Sequence, residues 1–355
     1  MNANPLAQDL DHVVEHTSGL WEELRGRRIF LTGGTGFFGT WLLESFAWAN
    51  ARLGLRAQVT VLTRDPEGFR RRAPHLFADP SIRFLAGDMG TFDPPTGDFS
   101  HIIHAATTTE SQALGLFDCN VAATRRVLEL TRVCRTEKLL FISSGAVYGR
   151  QPAGITHVRE DYAGAPLPTA LEAAYGHSKR VSEFLGAAHA AASALQFKIA
   201  RCFAFVGPHL PLDANYAIGN FIRDALAGGP IRVNGDGTPY RSYLYTSDLM
   251  IWLWTILFKG QSGQPYNVGS DQDVTIADLA QQVRSMVAPN AVIRIAQAPV
   301  AEATAQRYVP SVERARRDLG LDVWIQRADA IHRTAAWYRQ LSAPHAAEPL
   351  TVTAR

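Results

Sequence analysis

The stretch Ile29-Phe30-Leu31-Thr32-Gly33-Gly34-Thr35-Gly36-Phe37-Phe38-Gly39 constrains the fold of this chain more than any other part of it. An apolar strand runs into a glycine turn, and an amphipathic helix follows from Thr40 to about Asn50. Such a unit offers backbone N–H groups and the positive end of a helix to a pyrophosphate. Gly33 suits the tight turn, Gly36 lets a dinucleotide approach the backbone, and Gly39 lets the helix pack close to the strand. The Gly-x-x-Gly-x-x-Gly spacing is one residue looser than the common dinucleotide fingerprint. Glycines often only make turns, so the strand before and the helix after carry the assignment.

The rest of the first two hundred residues repeats this rhythm. Short apolar runs predict strands at 28–32, 57–63, 82–86, 101–105, 138–142 and 197–203. Helices are expected near 37–52, 66–73, 112–135 and 174–194, with a further helix over 7–25 outside the core fold. The alternation argues for an α/β fold of Rossmann type, a doubly wound parallel sheet spanning 27–207. After Gly207-Pro208 the rhythm changes. Short strands and helices near 215–227, 246–258, 274–287 and 325–341 suggest a smaller mixed α/β substrate lobe over 208–341, with some return to the Rossmann core. It is expected to cover the carboxyl edge of the sheet, where ligands bind in such folds. The extension 1–26 precedes the core, and the tail 342–355, rich in Ala, Pro and Glu, is expected to be mobile.

Composition narrows the function. The 355 residues carry a net charge of +2, which gives no electrostatic case for nucleic acid or an acidic membrane. Arg70-Arg71-Arg72 is short and reads as a solvated surface patch. Cys119, Cys134 and Cys202 are scattered, with neither disulfide nor zinc spacing, so no metal is expected and a reducing cytoplasm is the simplest setting. The N-terminus has no signal-peptide core, and the apolar run Leu249 to Phe258 is too short to span a bilayer.

Two segments bear on chemistry. Tyr175-Gly176-His177-Ser178-Lys179 puts a phenol and an amine on one helical face, where the ammonium can sit beside the phenol. Phe141 to Gly149 places Ser144 just past a buried strand, at the same sheet edge. A serine there can bond the substrate oxygen that Tyr175 protonates or deprotonates, while Lys179, with a positive nicotinamide, lowers the tyrosine toward its working range. A surface Tyr-Lys pair and a turn serine are the bland alternatives for each segment alone; their combination with the glycine turn favours catalysis.

Together with Gly87-Asp88, His104-Ala105-Ala106, Asn120-Val121 and Gly207-Pro208, these motifs resemble the extended short-chain dehydrogenase/reductases, and more narrowly the NAD-dependent epimerase/dehydratase family acting on nucleotide sugars. The resemblance runs from about residue 27 to 340. It implies catalytic roles for Ser144, Tyr175 and Lys179. It implies cofactor contacts from Gly33, Thr35, Gly36, Phe37, Phe38, Gly39, Arg64, Asp88, Met89, His104, Ala105, Ala106, Asn120, Tyr175 and Lys179. Asp88 would contact adenine and Asn120 would steady the central helix. His104, at an apolar strand end, reads better as a packed residue than as an acid or base. A homodimer through the helices near 112–135 and 174–194 is also implied.

The finer calls rest on single positions. Thr63 stands at the strand tip where NAD-preferring relatives carry an acid, and Arg64 follows, which favours NADP over NAD; Asp65, one residue late, keeps NAD open. Arg241, within Gly235-Asp236-Gly237-Thr238-Pro239-Tyr240-Arg241-Ser242-Tyr243, resembles the arginine that grips a substrate diphosphate. Arg307 is the second choice, and Asn220 would face the nucleotide together with Ser144 at the sugar. Ala204 replaces a substrate-contacting asparagine, and Gly145 and Ala146 replace the acidic pair that dehydratases of the family carry after the catalytic Ser/Thr. The expectation is an NAD(P)-dependent nucleotide-sugar epimerase or 4-ketoreductase. A dehydratase or decarboxylase, an alcohol reductase on a non-sugar substrate, and a non-catalytic cofactor-binding regulator are the alternatives.

Overall fold

The computed structural model describes residues 4–108, 110–300 and 304–342. Seven parallel strands form the main sheet: β1 (Arg28–Thr32), β2 (Gln58–Thr63), β3 (Ile82–Ala86), β4 (His101–His104), β5 (Lys138–Ser144), β6 (Gln196–Cys202) and, after four short strands, β11 (Pro265–Val268). Their order is β11-β6-β5-β4-β1-β2-β3, so the direction of winding reverses between β1 and β4. That reversal opens a crevice at the carboxyl ends of both strands.

Strand alternation feeds two cores. Ile29 and Leu31 face one side, with α1 (Ala7–His16), α2 (Phe37–Leu53) and α8 (Thr246–Lys259). Phe30 and Phe141 face the other, under α5 (Ala113–Val133) and α6 (Ala174–Ala191). The apolar run of α8 is buried on every side, Trp252 and Trp254 included, which makes it a core helix rather than an amphipathic one. No helix among the described residues is long and apolar enough to cross a membrane. The helix expected over 66–73 is α3 (Pro66–Arg72), and a short α4 (Pro74–Phe77) follows it. Pro74 keeps Ala73 out of the helical region, at φ −138° and ψ 65°.

The smaller lobe combines β7 (Phe205–Val206), β8 (Ile231–Val233), β9 (Tyr240–Arg241), β10 (Leu244–Tyr245), β12 (Val274–Thr275), β13 (Ile293–Ile295) and β14 (Arg307–Tyr308). Its helices are α7 (Ala217–Leu226), α9 (Ile276–Val287) and α11 (Arg327–Ser342), and α10 (Glu313–Leu319) lies against β11. α8 and β11 return to the main sheet between lobe elements. The tail expected to be mobile lies, beyond Ser342, outside the described residues.

The N-terminal segment is not outside the core. It is α1 followed by a 3-10 turn, Leu20–Leu24, and Leu10, Val13, Trp21 and Leu24 are buried with α2 and α8. Its polar face is also engaged: the Tyr245 hydroxyl donates to Asp9 Oδ2 at 2.7 Å, and Arg333 donates to Asp9 Oδ1 at 2.7 Å. Leu6, Leu10 and Val13, at helical spacing, form the stripe that packs into this core. Asp9→Ala leaves the buried Tyr245 hydroxyl without its acceptor and Arg333 with Asp329 alone, and is expected to cost about 2 kcal/mol. Thermal unfolding checks this; an unchanged melting temperature would show that α1 is only laid on the surface.

Candidate active site

One cavity of about 1550 Å³ runs along the carboxyl edge of the sheet and under the smaller lobe. That is larger than the few hundred to about 1000 Å³ a single small ligand needs, so it has room for two. At one end lies the β1 turn. Gly33 has φ +74°, and a Cβ there would stand 2.6 Å from Ala105 C and Ala106 N. A Cβ on Gly39 would stand 2.2 Å from Gly33 O, so only glycine lets α2 start this close to the strand. Gly36 differs: its Cβ would meet nothing nearer than Gly33 O at 3.6 Å, and its open side is the cavity. The backbone is thus bare where a pyrophosphate would lie, at the first turn of α2, and the residues present fit a dinucleotide.

Thr35, Phe37, Phe38, Arg64, Asp88, Met89, Ala105 and Ala106 all line the cavity. Asp88 does two things, since its Oδ1 also accepts from Gly90 N at 2.8 Å. Three expected cofactor contacts are corrected. Gly39 is a packing residue below the turn. His104 does not reach the cavity: it is buried between Thr32 and Thr124, with Nδ1 2.7 Å from Thr32 Oγ1. Burial, and then the Lys179 ammonium, push its imidazole down to about 3, so it is neutral at any working pH. Asn120 also lies beneath the cavity lining. It accepts from Thr108 N at 3.2 Å and donates to Ser178 Oγ at 3.1 Å, tying α5 to the loop after β4 and to α6.

The Arg70-Arg71-Arg72 cluster is not wholly a solvated patch. Arg72 lines the cavity, and its Nη2 donates to Thr35 O at 3.2 Å. Only the position of α3 against the β1 turn reveals this. Asp65 lines the cavity too, but its Oδ1 accepts from Gly68 N at 2.8 Å and caps α3.

Ser144, Tyr175 and Lys179 meet in the middle of the cavity. Ser144 ends β5. Tyr175 comes to it because α6 begins against the turn Gly145–Tyr148; a Cβ on Gly176 would lie 2.5 Å from Ala146 O. Arg180 staples the same contact by donating to Val147 O at 2.9 Å. Lys179 Nζ sits 5.6 Å from the Tyr175 ring centre and donates to Ile142 O at 2.8 Å. Burial lowers Lys179 to about 8 and raises the Tyr175 phenol well above its ordinary value, while the Ser144 hydroxyl pulls the phenol back down. In the protein alone, burial therefore dominates the phenol, and the lowering expected from Lys179 is not the leading effect.

The lobe supplies the other end. Arg241 and Asn220 line the cavity, as do Arg223 and Arg232, which sequence reasoning missed. Arg223 is already paired with Asp224, at 2.9 Å. Arg307 is corrected. It points off the cavity, stacks 3.8 Å above the Tyr240 ring centre and pairs with Asp273 at 2.7 Å. Successive strand residues face opposite ways, so on β14 it is Tyr308 that lines the cavity.

Known proteins resemble this chain in sequence and in fold. The family model described as "NAD dependent epimerase/dehydratase family" matches residues 29–269. UDP-glucuronic acid decarboxylase 1 of Arabidopsis thaliana is 26% identical over 318 residues, covering 88% of this chain and 70% of that protein. Its namesake in Danio rerio is 26% identical, covering 88% and 72%. Among solved structures, a dTDP-glucose 4,6-dehydratase from Streptomyces venezuelae with NAD and TYD bound superposes with a TM-score of 0.73 at 25% identity, covering 88% of this chain and 97% of that one. A UDP-glucuronic acid 4-epimerase from Bacillus cereus, in complex with UDP-glucuronic acid and NAD, shares the fold at a TM-score of 0.74 and 20% identity, covering 88% and 99%.

The two glycines separate packing from binding. Gly36→Val is expected to fold normally and lose NADH and NADPH binding, because its side chain fills the cradle. Gly39→Val is expected to lower the melting temperature itself. Cofactor fluorescence titration beside thermal unfolding checks both; intact binding in Gly36→Val would remove the pyrophosphate from this turn.

Proposed function

The chain belongs to the NAD dependent epimerase/dehydratase family, as an enzyme of the extended short-chain dehydrogenase/reductase type, and on that premise we propose that it modifies the hexose of a nucleoside diphosphate sugar by hydride transfer at C4. The observation that carries this is the convergence of Ser144, Tyr175 and Lys179 on the cavity that also holds the bare glycine turn. The two ends of the cavity suit two ligands, a dinucleotide at β1 and a nucleotide sugar under the lobe.

Each residue then has a task. Tyr175 takes or returns the hydroxyl proton at the reacting carbon, Ser144 bonds that oxygen, and Lys179 holds the nicotinamide ribose with a charge that favours the phenolate. Arg241 offers the diphosphate its planar fork of donors, and Asn220 faces the nucleotide. When bound, the nicotinamide accepts or supplies the hydride. Reduction on the opposite face would make the enzyme an epimerase; a keto sugar reduced and released would make it a ketoreductase.

A decarboxylase is the second reading, favoured by the Arabidopsis and Danio relatives, whose names carry that activity. Gly145 and Ala146, which offer no carboxylate beside Ser144, speak against it. Tyr175→Phe is expected to lower turnover of UDP- or dTDP-hexoses by about 100-fold or more while cofactor binding stays. Unchanged turnover would remove Tyr175 from the chemistry.

We read the preferred cofactor as NADP. Thr63 gives the ribose no carboxylate, Asp65 is engaged as a helix cap, and Arg64 and Arg72 both stand at this end of the cavity. Mass spectrometry of the molecules released on denaturation, with NADPH and NADH titrations, tests this. Arg64→Ala and Arg72→Ala are each expected to weaken NADPH by about tenfold and leave NADH nearly unchanged. Tightly held NAD(H) would overturn it and point to an epimerase that recycles its cofactor.

A further inference from the structure

Three arginines line the lobe end of the cavity, Arg223, Arg232 and Arg241. In the sequence they look alike, and their hydrogen bonds separate them. Arg241 spends one donor, from Nη1 to Tyr240 O at 2.8 Å. The Arg232 side chain has no partner among the described residues; only its backbone N–H is bound. Arg223 is largely spent. Its Nε and Nη2 donate to Asp224 Oδ1 at 3.2 and 2.9 Å. Its Nη1 donates to Leu212 O at 3.3 Å and to Asn220 Oδ1 at 3.2 Å. A guanidinium has five N–H groups, and four of these are engaged here.

The Asp224 carboxylate also offsets the Arg223 charge. Asp224 is buried and anchored, because its Oδ2 accepts from Arg232 N at 3.1 Å and so ties α7 to β8. A neutralised guanidinium with one donor left is a poor clamp for a diphosphate.

Arg223 sets its neighbour instead. It lies three residues past Asn220, on the same side of α7. Arginine has no acceptor, so the Asn220 atom that faces it must be the amide oxygen. The amide nitrogen is the end left over, and among the described residues Asn220 Nδ2 has no partner. Asn220 lines the cavity, so it meets a ligand with N–H donors.

We propose that Arg223 is a positioning residue of the nucleotide subsite, acting through Asn220 to turn its amide N–H groups toward an acceptor oxygen of the nucleoside diphosphate. This rests on the reading of the lobe end as a nucleotide-sugar site. A phosphate oxygen and a base carbonyl offer the same acceptor chemistry.

The test is calorimetric titration with UDP, dTDP, CDP and GDP, with NADPH present to fill the dinucleotide end. Thermal unfolding confirms that the variants fold. Arg223→Ala is expected to weaken the nucleotides that bind by about tenfold when Asn220 is present, and to change little in the Asn220→Ala background. Equal losses in both backgrounds would mean that Arg223 touches the ligand itself or only braces α7, and would overturn the proposal. Asn220→Asp tests the direction of the bond. The carboxylate keeps an acceptor toward Arg223 and removes both N–H donors at nearly the same size. It is expected to weaken binding at least as much as Asn220→Ala. Binding kept in Asn220→Asp would show that the ligand donates at this position and would overturn the proposal, even if Arg223→Ala did not fold. A loss shared by every nucleotide that binds puts the acceptor on the diphosphate they have in common, and a loss confined to one base puts it on that base; both support the proposal. If none of the four binds the unmodified protein, the nucleotide-sugar reading fails and the proposal with it, whereas binding that ignores Arg223→Ala overturns the proposal alone.

Discussion

The buried pair of Glu183 and Arg201 is the interaction on which the site depends. Arg201, on β6, donates to Glu183 Oε2 of α6 at 2.7 Å and to the Tyr148 hydroxyl at 2.9 Å. Ser143 donates to Glu183 Oε1, and Tyr148 donates to Asn267 Oδ1 of β11 at 2.7 Å. Glu183 lies one turn past Lys179 and two past Tyr175, on their face of the helix. The carboxylate therefore fixes α6 against β5 and β6 in both rotation and register. A buried ion pair adds little net stability over apolar packing, yet loss of one partner costs about 3–5 kcal/mol. Its value here is geometric: Ser143 is bound below the sheet edge, so Ser144, on the opposite face of the strand, must point into the cavity.

The main sheet was legible because its strands are short apolar runs between helical periods, and because Gly33, Gly36 and Gly39 mark where the first one ends. Ser144, Tyr175 and Lys179 were legible by spacing and by their place at strand and helix ends. What escaped the sequence depends on tertiary neighbours. Arg72 looks like its neighbours Arg70 and Arg71 until α3 is laid against Thr35. Arg307 and Tyr308 differ only in which way a two-residue strand faces. The role of Gly176 appears only when Ala146 O is seen against it. Pro265 to Val268 carries too few residues to declare itself a strand of the main sheet, and its pairing with β6 decides that.

The cavity has two characters. Its β1 end is backbone and arginine, suited to phosphate. Its centre is a cluster of hydroxyls over Phe203, Cys202 and Ala204, with Lys179 as the cation beneath Tyr175. The similar proteins carry names for epimerisation, dehydration and decarboxylation. Beside Ser144 this chain carries Gly145 and Ala146, with the Tyr308 hydroxyl and the Phe203 ring close against Gly145.

The first helix of the chain meets its polar partners very late. Asp9 is bonded to Tyr245 and Arg333, separated from it by 236 and 324 residues. Contacts so far apart in sequence close long loops and form slowly. α1 also packs on α2, so its docking clasps the first strand-helix unit of the sheet to β10 and α11 of the lobe.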